Sequence, residues 1–406
     1  MADFHQNPHL ATLHNFKTLD PQLLERELEA MASRRKVTLI LPSLFSELEG
    51  EALAHIVDEL CEAKFLNHII IGLDRADAEQ YRYARQYFAR LPIRHDVVWN
   101  DGPRMMAIDK EIEAVGLSSG ELGKGRNVWY SMGLALANGN ADVIALHDCD
   151  IVTYTREMLV RLVYPVINPT TPYMFCKGFY PRIADGKLNG RVSRLLVGPL
   201  LAALERTIGA QPYLDYLAAF RYPLAGEFAM RSAIVPQIRI PSDWGLEIGV
   251  LSEVWRNLGG HSVCQVDISD AYDHKHQPLS EEDPTAGLSR MSTDISKALF
   301  RKMASDGIIF NQETFRTLKG TYLRAALDLI EAYYHDARMN GLHVDRHAEE
   351  QAVELFAANI VEGGQSFLDN PLETPFIPNW NRVQAANPDI MRMMIEAVKA
   401  DAEEFS

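Results

Sequence analysis

The sequence predicts an α/β protein in which a parallel, doubly wound sheet is followed by a mixed half and a helical C-terminal extension. Three observations carry this expectation. From Val37 to Asp150, short β-branched runs alternate with amphipathic helical segments. Beyond Asp150 the alternation loosens into short elements punctuated by prolines from Pro165 to Pro241. From about Thr314 onward, apolar residues recur only at helical spacing.

The first strand is read at Val37-Thr38-Leu39-Ile40-Leu41, a nearly continuous apolar run ending at Pro42, as expected of a strand buried on both faces. Leu53, Ile56, Val57 and Leu60 then fall on one helical face, with Glu51, Asp58, Glu59 and Glu62 between them. The cycle repeats with a strand at His68–Ile71, a helix from Ala78 to Leu91 and a strand at Asp96–Trp99. A helix over Val128–Asn138 leads to a strand at Asp142–Leu146, which runs into His147-Asp148-Cys149-Asp150. Such alternation implies right-handed crossovers and a ligand crevice at the carboxyl ends of the strands. In the tail, Tyr322, Ala325, Ala326, Leu329 and Tyr333 form one stripe, Val353, Phe356, Ala357 and Ile360 a second, and Met391, Met394, Ile395 and Val398 a third. These stripes must be covered, by the rest of the chain or by a second copy, and a homodimer is the expectation.

Composition narrows the function. Of 406 residues, 47% are hydrophobic and 23% charged, ordinary globular usage. Lys+Arg 40 against Asp+Glu 55 leaves a net charge of -15, which repels nucleic acid and anionic membranes. Cys61, Cys149, Cys176 and Cys264 are scattered without a C-x-x-C pair, which fits a reducing cytoplasm and argues against a zinc knuckle. The N-terminus lacks the basic and apolar regions of a secretory signal. The best apolar run, Leu195–Leu204, is interrupted by Gly198-Pro199 and is about half of the ~20 residues a membrane span needs.

Several motifs can carry chemistry. Asp148-Cys149-Asp150 stands where a strand ends, at the mouth of the crevice. Two carboxylates there can hold a hard divalent cation whose remaining ligands are water and substrate phosphate, although a bare D-x-D equally suits a loop cap. Gly123-Lys124-Gly125-Arg126-Asn127 combines glycines, a lysine and a helix N-terminus, a set suited to an anion, without being a Walker A loop. In Tyr272-Asp273-His274-Lys275-His276, a neutral His274 could complete a metal shell begun by Asp150. Glu227 and Glu247 lie beside glycines in apolar surroundings, and buried acids need partners. Gly116-Leu117-Ser118-Ser119-Gly120 matches the G-x-S-x-G nucleophile elbow, but the segment before it reads as a helix where the elbow requires a strand.

Taken in order, Leu41-Pro42-Ser43-Leu44, Gly123-Lys124-Gly125, Asp148-Cys149-Asp150, Lys177-Gly178-Phe179-Tyr180, Gly190-Arg191-Val192-Ser193, Pro223–Ala229, Trp244–Gly249 and His274 resemble the glucosyl-3-phosphoglycerate synthases, retaining glycosyltransferases of the GT-A fold. The resemblance spans roughly residues 37–310. It implies UDP-glucose as donor, D-3-phosphoglycerate as acceptor and Mg²⁺ or Mn²⁺ as cofactor. It also implies a division into an N-terminal extension (1–36), a nucleotide-sugar-binding half (37–155), an acceptor-binding half (156–312) and the helical extension (313–406). By the same likeness, Pro42, Ser43, Leu44, Asp74, Lys124, Asp148 and Cys149 would line the donor site, and Asp150 with His274 would hold the metal. Gly190, Arg191, Val192, Ser193 and His276 would bind the acceptor, while Glu227 and Asp150 would serve catalysis.

The chain departs from the family pattern in three places. Phe45-Ser46 replaces the usual Asn-Glu, Gly72-Leu73-Asp74-Arg75 replaces Asp-Asp-Gly-Ser, and Tyr272-Asp273-His274-Lys275-His276 replaces Arg-Glu-His-Arg-Asn. These changes fall on the nucleotide and acceptor walls. Two alternatives follow: mannosyl transfer from GDP-mannose to 3-phosphoglycerate or glycerate, and a non-catalytic sugar-nucleotide-binding protein.

Overall fold

The structure, a computed structural model, describes residues 6–273, 287–370 and 376–405. Among the described residues ten strands run in chain order as β1 (Ala11–Leu13), β2 (Val37–Leu44), β3 (His68–Asp74), β4 (His95–Trp99), β5 (Val143–Leu146), β6 (Phe175–Phe179), β7 (Ile183–Ala184), β8 (Lys187–Leu188), β9 (Phe228–Arg231) and β10 (Val263–Asp267). Eight of them form one sheet, ordered β1-β10-β6-β9-β5-β2-β3-β4. Every pairing in that sheet is parallel except those of β9, which runs antiparallel between β5 and β6. The doubly wound half and the mixed half therefore share one sheet, joined through β9.

Alternation along the strands divides the core. Ile40, Ile70 and Ile144 face one layer, and Leu39, Leu41, Ile69, Ile71 and Val143 face the other. All are fully buried, and each contributes about 1.5–3 kcal/mol. Of the flanking helices, α1 (Pro21–Ala32), α2 (Glu51–Cys61), α3 (Ala78–Phe88) and α6 (Arg156–Ile167) join the second layer, while α4 (Pro103–Ala114) and α5 (Lys124–Asn138) join the first.

Two of the boundaries that differ from the sequence reading have physical reasons. β2 continues through Pro42 to Leu44. Ile40 O accepts from His147 N–H on the β5 side at 3.3 Å, and pairing with β5 ends at that residue. Alternation turns the missing N–H of Pro42 to the same, now unpaired, side, so no ladder bond is lost. Helix α5 begins at Lys124, which places the Gly-Lys-Gly segment in its first turn. Gly125 is required there: a Cβ would lie 2.0 Å from Pro241 O. The G-x-S-x-G match follows helix α4 and no strand, and the Oγ of Ser118, at the nucleophile position, accepts from Gly120 N–H at 3.1 Å, so it forms no nucleophile elbow.

The remaining helices are α7 (Gly198–Ile208), α8 (Pro212–Ala219), α9 (Leu246–Asn257), α10 (Gly287–Ser305), α11 (Gln312–Met339), α12 (Arg346–Asp369), α13 (Trp380–Ala386) and α14 (Ile390–Glu404). α11 and α12 pack against α7, α10 and a π-helix at Val192–Val197. Arg194 of that π-helix forms a buried ion pair with Glu349 of α12. α14 packs on α4, α5 and β4, with Arg104 bridging Asp401 and Glu404, and Trp380 stacks on Trp129 at a centroid distance of 4.0 Å. The apolar stripes of the tail are thus covered within the chain and need no second copy. Among the described residues no helix is long and apolar enough to cross a membrane.

Candidate active site

The carboxyl ends of β2, β3 and β5 lie side by side at one end of the sheet. On its β3 side, Asn100 Nδ2 donates to Asp74 Oδ1 at 2.8 Å. Asn127 Nδ2 donates to Gly72 O at 2.8 Å, so closely that a Cβ at Gly72 would lie 1.8 Å from Asn127 Oδ1. Burial pushes the Asp74 carboxyl up to about 6, against hydrogen bonds from Asn100 and Asn127 that favour its anion. Pro42, Ser43 and Leu44 extend β2 alongside Gly72–Asp74, Ser43 buried and its neighbours half-buried. Cys149 is buried beside Ser43, and burial pushes its thiol well above the ordinary value, so it packs as a small apolar group and not as a nucleophile.

At the centre is a cluster of charge. Lys124 Nζ, at the first turn of α5, lies 2.6 Å from Asp148 Oδ1 and 3.2 Å from Glu247 Oε1. Burial works against its charge, but the two carboxylates hold it firmly protonated. Lys177 of β6 is also buried, and its ammonium donates to Ala225 O at 2.5 Å. Burial lowers the Lys177 pKa to about 8, against the attraction of Glu247 and Glu227. Gly226 follows, pressed on Asp148: a Cβ there would come 2.4 Å from Asp148 Oδ2. Next, Glu227 is fully buried and accepts from Tyr180 Oη and Tyr272 Oη, both at 2.7 Å. Burial, then Asp148, raises the Glu227 pKa, and the two phenols oppose the rise.

Asp150 ends the D-x-D at the β5 edge, half-buried. His274 and His276 lie outside the described residues. The chain leading to them is fastened beside Asp150: Val152 N donates to Asp273 O at 2.9 Å, and Asp273 N donates to Thr153 Oγ1 at 3.1 Å. Among the described residues no group of three or more His, Cys, Asp or Glu gathers as a metal site. Asp150 nevertheless suits a hard cation that takes one or two protein ligands and completes its shell with phosphate and water. His147, one place before the motif, is a core residue: it is fully buried edge-on to Tyr154 at 5.3 Å, and burial pulls its pKa down to about 3.

The Gly190–Ser193 segment starts at a residue whose φ of 78° is open to glycine. Arg191 caps the π-helix that holds Val192 and Ser193. A Cβ at Gly190 would lie 3.2 Å from Arg182 Cγ, and Arg182 Nη1 donates to Tyr222 Oη at 3.1 Å. Tyr222 in turn packs edge-on against Tyr180, 5.0 Å between centroids, so this loop reaches the Glu227 cluster through two side chains. The structure therefore brings Asp74, Lys124, Asp148, Asp150, Glu227 and the Gly190–Ser193 loop to one end of the sheet. Asn100 and Tyr222 were not singled out from sequence. Asn127, Lys177, Tyr180 and Tyr272 stood inside quoted motifs without an assigned role, and Glu247 was named only as a buried acid in need of a partner.

A parallel-rich sheet with an acidic D-x-D at the carboxyl end of a central strand, facing an anion-directed lysine, defines the class: a GT-A-type α/β protein of the nucleotide-sugar kind. Solved structures share this fold. The glucosyl-3-phosphoglycerate synthase of Mycobacterium tuberculosis, solved in complex with Mn²⁺, UDP-glucose and phosphoglyceric acid, is similar with a TM-score of 0.55 at 22% identity, covering 75% of this chain and 90% of that one. The mannosyl-3-phosphoglycerate synthase of Rubrobacter xylanophilus is similar with a TM-score of 0.55 at 19% identity, covering 74% and 83%. No protein-family model matches the chain.

Sequence relatives are more specific. A glucosyl-3-phosphoglycerate synthase of Persephonella marina is 43% identical over 401 residues, 99% of each chain. Another, from Methanococcoides burtonii, is 38% identical over 409 residues, again 99% of each. The chain belongs to the glucosyl-3-phosphoglycerate synthase family.

Proposed function

We propose that this chain transfers glucose from UDP-glucose to D-3-phosphoglycerate with retention at the anomeric carbon, dependent on Mg²⁺ or Mn²⁺. The observation that carries the reading is the gathering of Asp74, Lys124, Asp148, Asp150 and Glu227 at one end of the sheet, in a chain whose likeness to the Persephonella marina enzyme runs over 99% of both. Pro42, Ser43, Leu44 and Asp74 form the wall for the base, where an ionised Asp74 accepts an N–H from it. Lys124, already directed at Asp148, supplies positive charge for the diphosphate. Asp150 and His274 would hold the cation, which when bound neutralises charge on the departing diphosphate. Arg191 and the backbone N–H groups of the Gly190–Ser193 loop grip the acceptor phosphate, a site that glycerate would leave unused.

Asp74 with Asn100 also suits the N1–H and amine of guanine, so GDP-sugars belong in the test. The test is a matrix of UDP- and GDP-sugars against 3-phosphoglycerate and glycerate, with and without Mg²⁺ or Mn²⁺, read by product mass. Glucosyl-3-phosphoglycerate formed only with metal supports the reading. Absence of that product with either glucose donor contradicts it.

A further inference from the structure

Glu227 presents a physical problem that the transferase reading does not solve. It is fully buried, and a buried carboxylate either finds partners or takes a proton. The nearby cations are directed elsewhere, Lys124 to Asp148 and Glu247, and Lys177 to Ala225 O. What Glu227 has is a pair of phenols. Tyr180, just past β6, donates to Oε2, and Tyr272, beyond β10, donates to Oε1, each at 2.7 Å. The two rings are stacked 3.7 Å apart and 5° from parallel, so both hydroxyls address the same carboxylate as a fork. Tyr222 braces the stack edge-on, and the guanidinium of Arg182 lies 5.6 Å over the Tyr272 ring.

We propose that Tyr180 and Tyr272 are positioning residues for glycosyl transfer, a two-phenol fork that holds the Glu227 carboxyl in one orientation beside Gly226 and Asp148. The proposal rests on the transferase reading and adds to it. Neither tyrosine belongs to the base wall around Asp74 or to the Gly190–Ser193 loop, so the fork acts through Glu227 and not through ground-state binding of either substrate. Removing one hydroxyl leaves a buried carboxylate oxygen unpaired, free to rotate or to take a proton. A hydrogen bond to a charged group is strong enough that turnover falls about 10- to 100-fold.

The test uses the full chain with UDP-glucose, 3-phosphoglycerate and Mn²⁺, comparing Tyr180→Phe and Tyr272→Phe with the unaltered protein. Phenylalanine keeps each ring and its stack, and thermal unfolding checks that the variants are folded; because the tyrosines come from separate segments, either variant alone suffices. The expected result is the drop in kcat with both KM values within about twofold. Glu227→Gln supplies the second arm: with no carboxylate to hold, a further Tyr272→Phe costs less than about twofold. Wild-type kcat in the folded Phe variants, a loss confined to KM, or an undiminished Tyr272→Phe penalty in the Glu227→Gln background overturns the proposal. Absence of turnover by the unaltered protein overturns the transferase reading on which it rests, whereas normal turnover with unaffected Phe variants overturns the fork alone.

Discussion

Replacing Gly226 by alanine tests the geometry of the site with one methyl group. The added Cβ would sit 2.4 Å from Asp148 Oδ2 and 2.8 Å from Asp148 Cγ. Ordinary contact requires ~1 Å more, so either the carboxylate or the turn must move. Overpacking of this size costs about 1–3 kcal/mol, and relief of the glycine's unfolded-state entropy returns about 0.5–1 kcal/mol, leaving a net loss of about 0–2.5 kcal/mol. In a chain of 406 residues that is a shift of a few degrees in Tm at most. The functional loss should be larger in proportion, because the carboxylate under pressure is the one 2.6 Å from Lys124. A fall of at least about tenfold in kcat/KM for UDP-glucose, ~1.4 kcal/mol of transition-state stabilisation, is expected. Steady-state kinetics beside a thermal melt separate the two effects. A lowered Tm with unchanged kcat/KM would mean that the Asp148–Lys124 pair takes no part in the reaction.

Arg191→Ala should raise the acceptor KM about 10- to 100-fold while leaving the donor KM unchanged, and an unaffected acceptor KM contradicts the phosphate-loop assignment. The pH profile should report Asp74. Its carboxyl is raised to about 6, so it is an anion above that pH and a neutral acid below, unable there to accept from the base. Donor kcat/KM is therefore expected to fall about tenfold per pH unit below that point, and Asp74→Asn should abolish this limb as well as lower the plateau. A profile flat from pH 7 to 5 refutes the role given to Asp74.

The parallel strands were legible because nearly continuous Val, Ile and Leu runs have few alternatives to burial on both faces of a sheet, as Ile69 to Ile71 illustrate. Pro42 misled because proline is an ordinary strand terminator, and only the end of β5 pairing shows that its missing N–H costs nothing. Lys124 was suspected of facing an anion, and in the structure it faces the carboxylates of Asp148 and Glu247. Its place in the helix was hidden because two glycines normally signal a loop, whereas Gly125 is there for close approach to Pro241. The phenol fork was invisible for a different reason. Tyr180 and Tyr272 are 92 residues apart, and their convergence depends on β6 and β10 being neighbours in a sheet whose order local patterning does not encode. Asn100 escaped likewise, and Asn127 carried no role in its motif, each being an unremarkable amide until β3 brings Asp74 and Gly72 against it.

The central claim is that Asp150 supplies a ligand to the catalytic cation, and Mn²⁺ binding followed by electron paramagnetic resonance in the presence of UDP tests it without turnover. Saturable Mn²⁺ binding by the unaltered chain, weakened at least about tenfold in a folded Asp150→Ala variant, is the predicted result. Equal Mn²⁺ affinity in the two proteins would contradict it.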